Sequence, residues 1–180
     1  MNFTIAPIVE GHGDVAALPV LIRKLLPGAA VARPVRFPRS RLTGTEGHLE
    51  RAVRIAAANI AERGLVLLVV DADESCAATL GPELLGRMRS GAGSLPCIVA
   101  IPVREFEAWI VGGIESYGVM DPDSGDLKGR IKDSEGQYLE TVDQPRLSAA
   151  IDVELLYGRS RSFRHFADSL RRTAPGSDLA

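Results

Sequence analysis

The chain predicts an α/β fold: a mainly parallel four-stranded sheet flanked by helices, with a small helical extension at its C-terminal end. Three observations predict it. The stretch Leu65 to Asp73, LVLLVVDAD, carries no polar residue before Asp71 and is bounded by Arg63-Gly64, the pattern of a strand covered on both faces. Strand-like and helix-like stretches alternate around it, the signature of βαβ units whose right-handed crossovers limit the topology. Both of the most apolar strands stop at carboxylate, the first at Glu10-Gly11-His12-Gly13-Asp14 and the third at Asp71 and Asp73.

Asn2 to Val9 reads as the first strand. Asp14 can cap a helix running to about Leu26, with Leu18, Leu21, Ile22 and Leu25 as its apolar stripe and Pro19 near its first turn. The glycines around His12 let backbone N–H groups approach an anion at that helix start. Ala29 to Phe37 is the second strand, placed at an edge by its prolines. Pro38-Arg39-Ser40-Arg41 reads as a basic turn; with Arg33 and Arg36 it is either a solvated edge or a phosphate-binding strip contacted by Arg39 and Arg41. A helix opening at Gly44 or Thr45 runs to about Arg63, with Leu49, Val53, Ala56, Ala57 and Ile60 at helical spacing. After the central strand, Ala77 to Arg89 is helical with an interruption at Gly81-Pro82, and Ser90 to Ser94 is loop. Pro96 to Val103 is the fourth strand. The next helix starts near Arg104 and carries Phe106, Trp109 and Ile110, with Trp109 read as core. Residues 1–117 thus form the α/β domain. Residues 118–144, rich in Asp, Ser, Gly and Lys, read as an exposed excursion. Residues 145–180 supply C-terminal helices, Leu147 to Leu156 and Ser162 to Leu170, packing on the same domain.

With 180 residues, 46% of them hydrophobic and 24% charged, the chain is long enough for a core of its own and is not of disordered composition. A net charge of −2 argues against indiscriminate nucleic-acid binding, so any such binding needs a local basic patch. Cys76 and Cys97 are too far apart for a CxxC metal pair, and a reduced, cytoplasmic protein is the expectation. No apolar run approaches the roughly 20 residues of a membrane span, so no membrane partner is expected.

Side chains alternate along a strand, so Asp71 and Asp73 are expected to point the same way. Two such carboxylates repel unless a proton or cation lies between them, and hard oxygen donors suit Mg²⁺ or Mn²⁺. Ligands collect outside the carboxyl ends of strands in open α/β sheets, so Glu10, Asp71 and Asp73 converge if their strands are parallel neighbours. Glu105 and Glu107 begin a helix at the same end of the sheet, as further acids of the site or as residues favoured by the helix dipole. Asp14 is an added ligand or a helix cap. His12 is a proton shuttle, a phosphate contact or a bystander. Arg159 and Arg161, with Arg164, Arg171 and Arg172, make the C-terminal end basic, as phosphate contacts or as an ordinary soluble face.

A Glu-Gly after the first strand and a DxD after the third resemble the Toprim superfamily, which includes the catalytic domains of topoisomerases, bacterial primases and the overcoming-lysogenisation-defect and recombination-repair nucleases. The resemblance implies a Toprim, Rossmann-like sheet, Glu10 as general acid or base, and Asp71 and Asp73 as Mg²⁺ ligands. More specifically, IVEGHGDVAALPVLIRKLL, VVDAD, IPVREFEAWIVG, VDQPRLSAAID and SRSF resemble, in order, the motifs of a Toprim-like bacterial family of unassigned function, domain of unknown function 4276. That likeness implies a site role for Glu105 and, for some relatives, a phage-defence locus with an ATPase partner. Ser75 stands where some Toprim proteins have a third aspartate, which leaves a second metal on that loop without its ligand. The expected function is a Mg²⁺-dependent nuclease or phosphotransfer domain acting on DNA or RNA. The alternative is a non-catalytic or ATPase-controlled regulatory subunit of a defence complex. A homo-oligomer is compatible with either.

Overall fold

Alternate residues of the central strands go to opposite faces of one sheet, and both faces are covered. The computed structural model describes residues 3–118 and 125–174. Met1 and Asn2, residues 119–124 of the expected excursion and residues 175–180 of the expected tail lie outside the described residues.

Strand β1 (Phe3–Val9) leads into α1 (Asp14–Leu25); β2 (Ala30–Val31), β3 (Val35–Arg36), α2 (Arg39–Thr43) and α3 (His48–Ala57) follow. Then come β4 (Arg63–Val69), α4 (Ala77–Ala92), β5 (Cys97–Ala100), α5 (Glu107–Gly113) and a 3-10 turn at Glu115–Tyr117. Helices α6 (Leu127–Glu135), α7 (Glu140–Ala150), α8 (Val153–Arg159) and α9 (Arg161–Thr173) complete the described chain. Every pairing is parallel, in the order β2-β1-β4-β5 with β3 also on β1. The sheet is therefore α/β and parallel as expected, with five strands instead of four. Pro34, which has no N–H to donate, separates the expected second strand into two short pieces on β1.

Ile5, Val9, Leu65, Leu67, Val69, Ile98 and Ala100 face a core shared with α1 and α5 through α9. Ala6, Ile8, Val66, Leu68, Val70, Val99 and Ile101 face the other core, under Leu42 of α2, Leu49 and Val53 of α3, and Leu84 and Met88 of α4. This two-sided burial explains why LVLLVV shows no alternation: neither face meets water. Trp109 is fully buried, stacked on Phe166 with ring centres 5.0 Å apart, and its Nε1 donates to Ser162 Oγ at 3.0 Å, which ties α5 to α9.

Several element boundaries differ from the sequence reading. The basic turn at Arg39 is the helix α2. Helix α4 runs through Gly81-Pro82, where the missing N–H leaves an exposed Ala78 carbonyl to water. Within the excursion, α6 buries Leu127 and Ile131 against the first core, capped by Asp126, which accepts the Gly129 N–H at 2.8 Å. Two apolar positions one turn apart in an otherwise polar segment give too weak a period to be read. The tail holds three helices, because Asp152 accepts the N–H groups of Glu154 and Leu155 and so starts α8 inside the expected Leu147 to Leu156 helix.

Candidate functional site

Because β1 and β4 are parallel with Val9 opposite Val69, the residues that follow each strand emerge side by side. Glu10 and Asp71 are carboxyl to carboxyl in hydrogen-bonding contact. Two ionised carboxylates are both acceptors, so that contact needs a shared proton or a cation. Glu10 Oε2 is buried and has no hydrogen-bond partner among the described residues. Burial pushes Glu10 up to about 7 against the lowering contact from Asp71, and the charges of Asp14 and Asp73 add to the rise. Asp71 is held well above the usual carboxylate range, first by burial, then by the charges of Glu10, Asp14 and Glu107.

Asp14 joins this group from the first turn of α1. It does not cap the helix. Gly13 is the cap residue, and Asp14 Oδ2 accepts the Gly11 N–H at 2.9 Å. The anion approached by the glycine loop is thus the chain's own. Burial pushes Asp14 up to about 6, against that N–H and with the Glu107 and Glu140 charges adding. His12 is exposed, without a hydrogen bond or ion pair to any described residue.

Asp73 departs from the expected geometry. Regular strand ends at Val69, and Asp73 adopts φ 47°, so alternation no longer governs where its side chain points. Its carboxylate is 57% exposed and pairs with Arg39 Nε at 3.0 Å. Arg39 also donates to the carbonyls of Asp71 and Ala72, both at 3.1 Å, and to Ser75 Oγ at 3.0 Å. Arg39, expected on phosphate, clamps the DxD turn. Arg41 is exposed on α2. Arg159 ends α8 and Arg161 opens α9; neither makes a hydrogen bond or ion pair to the acids among the described residues.

Glu105 and Glu107 meet a cation supplied by α6. Lys128 Nζ lies 3.3 Å from Glu105, 3.8 Å from Glu107 and 2.5 Å from Glu140. Burial and the Glu107 charge push Glu105 up, and Lys128 counters them. Glu107 is 1% exposed and its Oε1 accepts the Tyr138 hydroxyl at 2.7 Å and Gln144 Nε2 at 3.2 Å. Burial and Glu107 raise the Tyr138 hydroxyl, which keeps it a donor.

Gln144 also hydrogen-bonds Asp14, so one buried amide joins the EGHGD loop, the REFEAW segment and the VDQPR helix. Its Oε1 lies over Gly13, where an added Cβ would stand 2.0 Å away. Gly13 is needed for this close approach, since its φ of −65° is open to any residue. Gln144, Tyr138 and Lys128 were not named as site residues; only the quoted VDQPR segment pointed toward one of them. Asp143 of the same segment accepts the Leu139 N–H at 2.7 Å and holds Arg146, which pairs with Glu135 at 2.7 Å and braces α6 on α7.

The donor chemistry of Glu10, Asp71 and Asp14, with one orphaned buried oxygen, fits Mg²⁺ or Mn²⁺. Among the described residues no three acid, histidine or cysteine side chains, Glu10, Asp71 and Asp14 included, are grouped closely enough to hold a metal ion, and Asp73 is paired with Arg39.

No family model matches the chain, and no curated protein matches it. The resemblance to domain of unknown function 4276 rests on the quoted motifs alone. Among solved structures, the C-terminal region of the Xanthomonas campestris pv. campestris OLD protein, phased with iodine, is similar over 98% of this chain and 90% of that one, at 15% identity and a TM-score of 0.36. A likeness at that distance carries no argument about this site. No described helix is long and apolar enough to cross a membrane.

Proposed function

We propose that the chain is a Mg²⁺- or Mn²⁺-dependent, Toprim-like nuclease domain that hydrolyses phosphodiester bonds in nucleic acid. One observation supports this reading: Glu10 has a buried oxygen without a hydrogen-bond partner among the described residues, beside Asp71, and no described cation forms an ion pair with Glu10, Asp71 or Asp14, Arg39 acting on Glu10 only as a more distant charge. Asp71 and Asp14 would hold the ion with Glu10. Asp73 would be available to it only by giving up Arg39, and Glu105 only by giving up Lys128. When bound, the metal supplies a Lewis acid that withdraws charge from the scissile phosphate. Glu10, which burial raises to about 7 in the metal-free chain, is the carboxyl placed to accept a proton from the attacking water or return one to the leaving oxygen. Gln144 and Tyr138 keep Glu107 fixed and satisfied while the reacting acids change protonation.

Purified protein incubated with labelled DNA and RNA should cut only when Mn²⁺ or Mg²⁺ is added, and Asp71→Asn should abolish cutting. Undiminished cutting by that variant refutes the mechanism.

A second reading is a regulatory subunit whose site is completed by a partner, an ATPase of a phage-defence system being the kind the motif resemblance implies. The Arg39 clamp on Asp73 favours it, since an unaided chain stands one ligand short. Cutting that appears only in a mixture with a co-purifying ATPase would select this reading.

A further inference from the structure

Among the described residues only two that are not glycine have positive φ, Asp73 at 47° and Arg104 at 64°. They are joined: the Asp73 N–H donates to the Arg104 carbonyl at 3.0 Å, extending the β4–β5 ladder past both strand ends. The Glu105 N–H donates to the Val103 carbonyl at 2.9 Å, which makes Arg104 the centre of a three-residue γ-turn of the strained, positive-φ kind. Glycine takes such a position without steric cost, and a long charged residue does not. Left-handed residues other than glycine gather at functional sites, where the side chain gained outweighs the strain.

Arg104 and Asp73 line the same open cleft of about 950 Å³, together with Arg39, Ser75, Glu105 and Asp126. Arg39 is consumed by the DxD turn. Arg104 is exposed and makes no hydrogen bond or ion pair with any described side chain, although Asp73, Glu74, Glu105 and Asp126 border the cleft with it. A guanidinium held by its backbone between the DxD turn and Glu105, yet paired with no carboxylate of the cleft, is available to an anion from outside.

We propose that Arg104 is the phosphate-contacting residue of a nucleic-acid strand track that runs through this cleft beside the carboxylate site. The proposal rests on the nuclease reading for the identity of the strand, and it concerns binding, which needs no metal. A planar guanidinium grips a phosphodiester oxygen pair and fixes the strand's register without reading its bases. Glu105 and Asp73 on either side repel the strand elsewhere, so the contact also determines where along the cleft a phosphate comes to rest.

The test is anisotropy of fluorescein-labelled single-stranded DNA and RNA oligonucleotides in EDTA, titrated with wild type, Arg104→Gln, Arg104→Gly and the control Arg63→Gln, an exposed arginine at the opposite rim of the sheet, across a salt series. Both Arg104 variants should bind roughly fivefold to tenfold more weakly near 0.1 M salt, with the slope of log affinity against log salt reduced by about 0.7–0.9, one phosphate's worth. Arg104→Gly should also raise the melting temperature by about 2–4 °C, because it removes the strain while losing the contact. Unchanged slopes in both Arg104 variants overturn the proposal, as does an equal loss in Arg63→Gln, which would report bulk charge, or absence of binding by wild type to either strand. Mn²⁺-dependent cutting, assayed separately, distinguishes the two readings. Binding without cutting removes the nuclease and leaves the track; cutting unaffected by Arg104→Gln does the reverse.

Discussion

Glu10, Asp14 and Asp71 stand at one part of the carboxyl rim of the sheet, and none forms an ion pair with a described residue. Asp73, Glu105 and Glu107 stand at the neighbouring part, and each has a cation from the chain itself: Arg39 for the first, Lys128 for the other two. The residue types are the same and the strand ends adjoin. Where α2 and α6 supply charge, the acids are neutralised and structurally committed. Where no described element forms an ion pair with them, burial and mutual repulsion raise the carboxyls toward neutral pH. The uncompensated group is where an outside divalent ion gains most, because there it replaces repulsion with coordination.

The largest expected contrast between the two groups is in activity. Asp71→Asn should lower metal-dependent cutting by at least about a hundredfold, whereas Asp73→Asn should lower it far less, since Asp73 starts committed to Arg39. Equal losses measured in single-turnover assays would break the comparison. Next in size is the pH response of the metal-free protein. Glu10 rises from 4.5 to about 7 and Asp14 from 3.8 to about 6, so the folded chain holds protons that the unfolded chain releases. The stability these groups contribute is fully present below about pH 4 and is lost as pH rises through 6 and 7. Melting temperature should therefore fall by several degrees between pH 5 and 8, and millimolar Mg²⁺ should restore it at pH 8 but not at pH 5. A flat profile by scanning fluorimetry would show that the inner acids are compensated after all.

Smaller effects sharpen the boundary between the groups. Gly13→Ala should destabilise by about 1–3 kcal/mol in urea titration, because the new methyl meets Gln144 Oε1 while the backbone is undisturbed. Gln144→Leu should cost about 1–3 kcal/mol by removing a donor from buried Glu107 and Asp14. Lys128→Met should cost no more than about 1 kcal/mol, since the lysine side chain is 43% exposed and its pairs are screened.

Much of the fold was legible in the chain because burial on two faces writes itself as an unbroken apolar run in LVLLVV, and Asn2 to Val9 reads as a second apolar strand. Glu10, Asp71, Glu105 and Glu107 are legible as acids of the carboxyl rim because each follows a strand whose end is identifiable. Helix α6 was not found, since two buried residues on a polar helix leave no periodic trace. Gln144 lies in the quoted VDQPR segment without a local sign of its role, because its partners lie 37 and 130 positions away in the chain.

The sequence by itself determined which acids reach the rim, since that follows from strand ends and parallel order. Only the tertiary structure decided which of them keep their charge uncompensated. That depends on where Arg39, Lys128 and Gln144 arrive from distant segments, and on a single left-handed turn at Asp73 that redirects a carboxylate. Electrostatic fate depends on distances through space, and no local pattern along the chain encodes those distances.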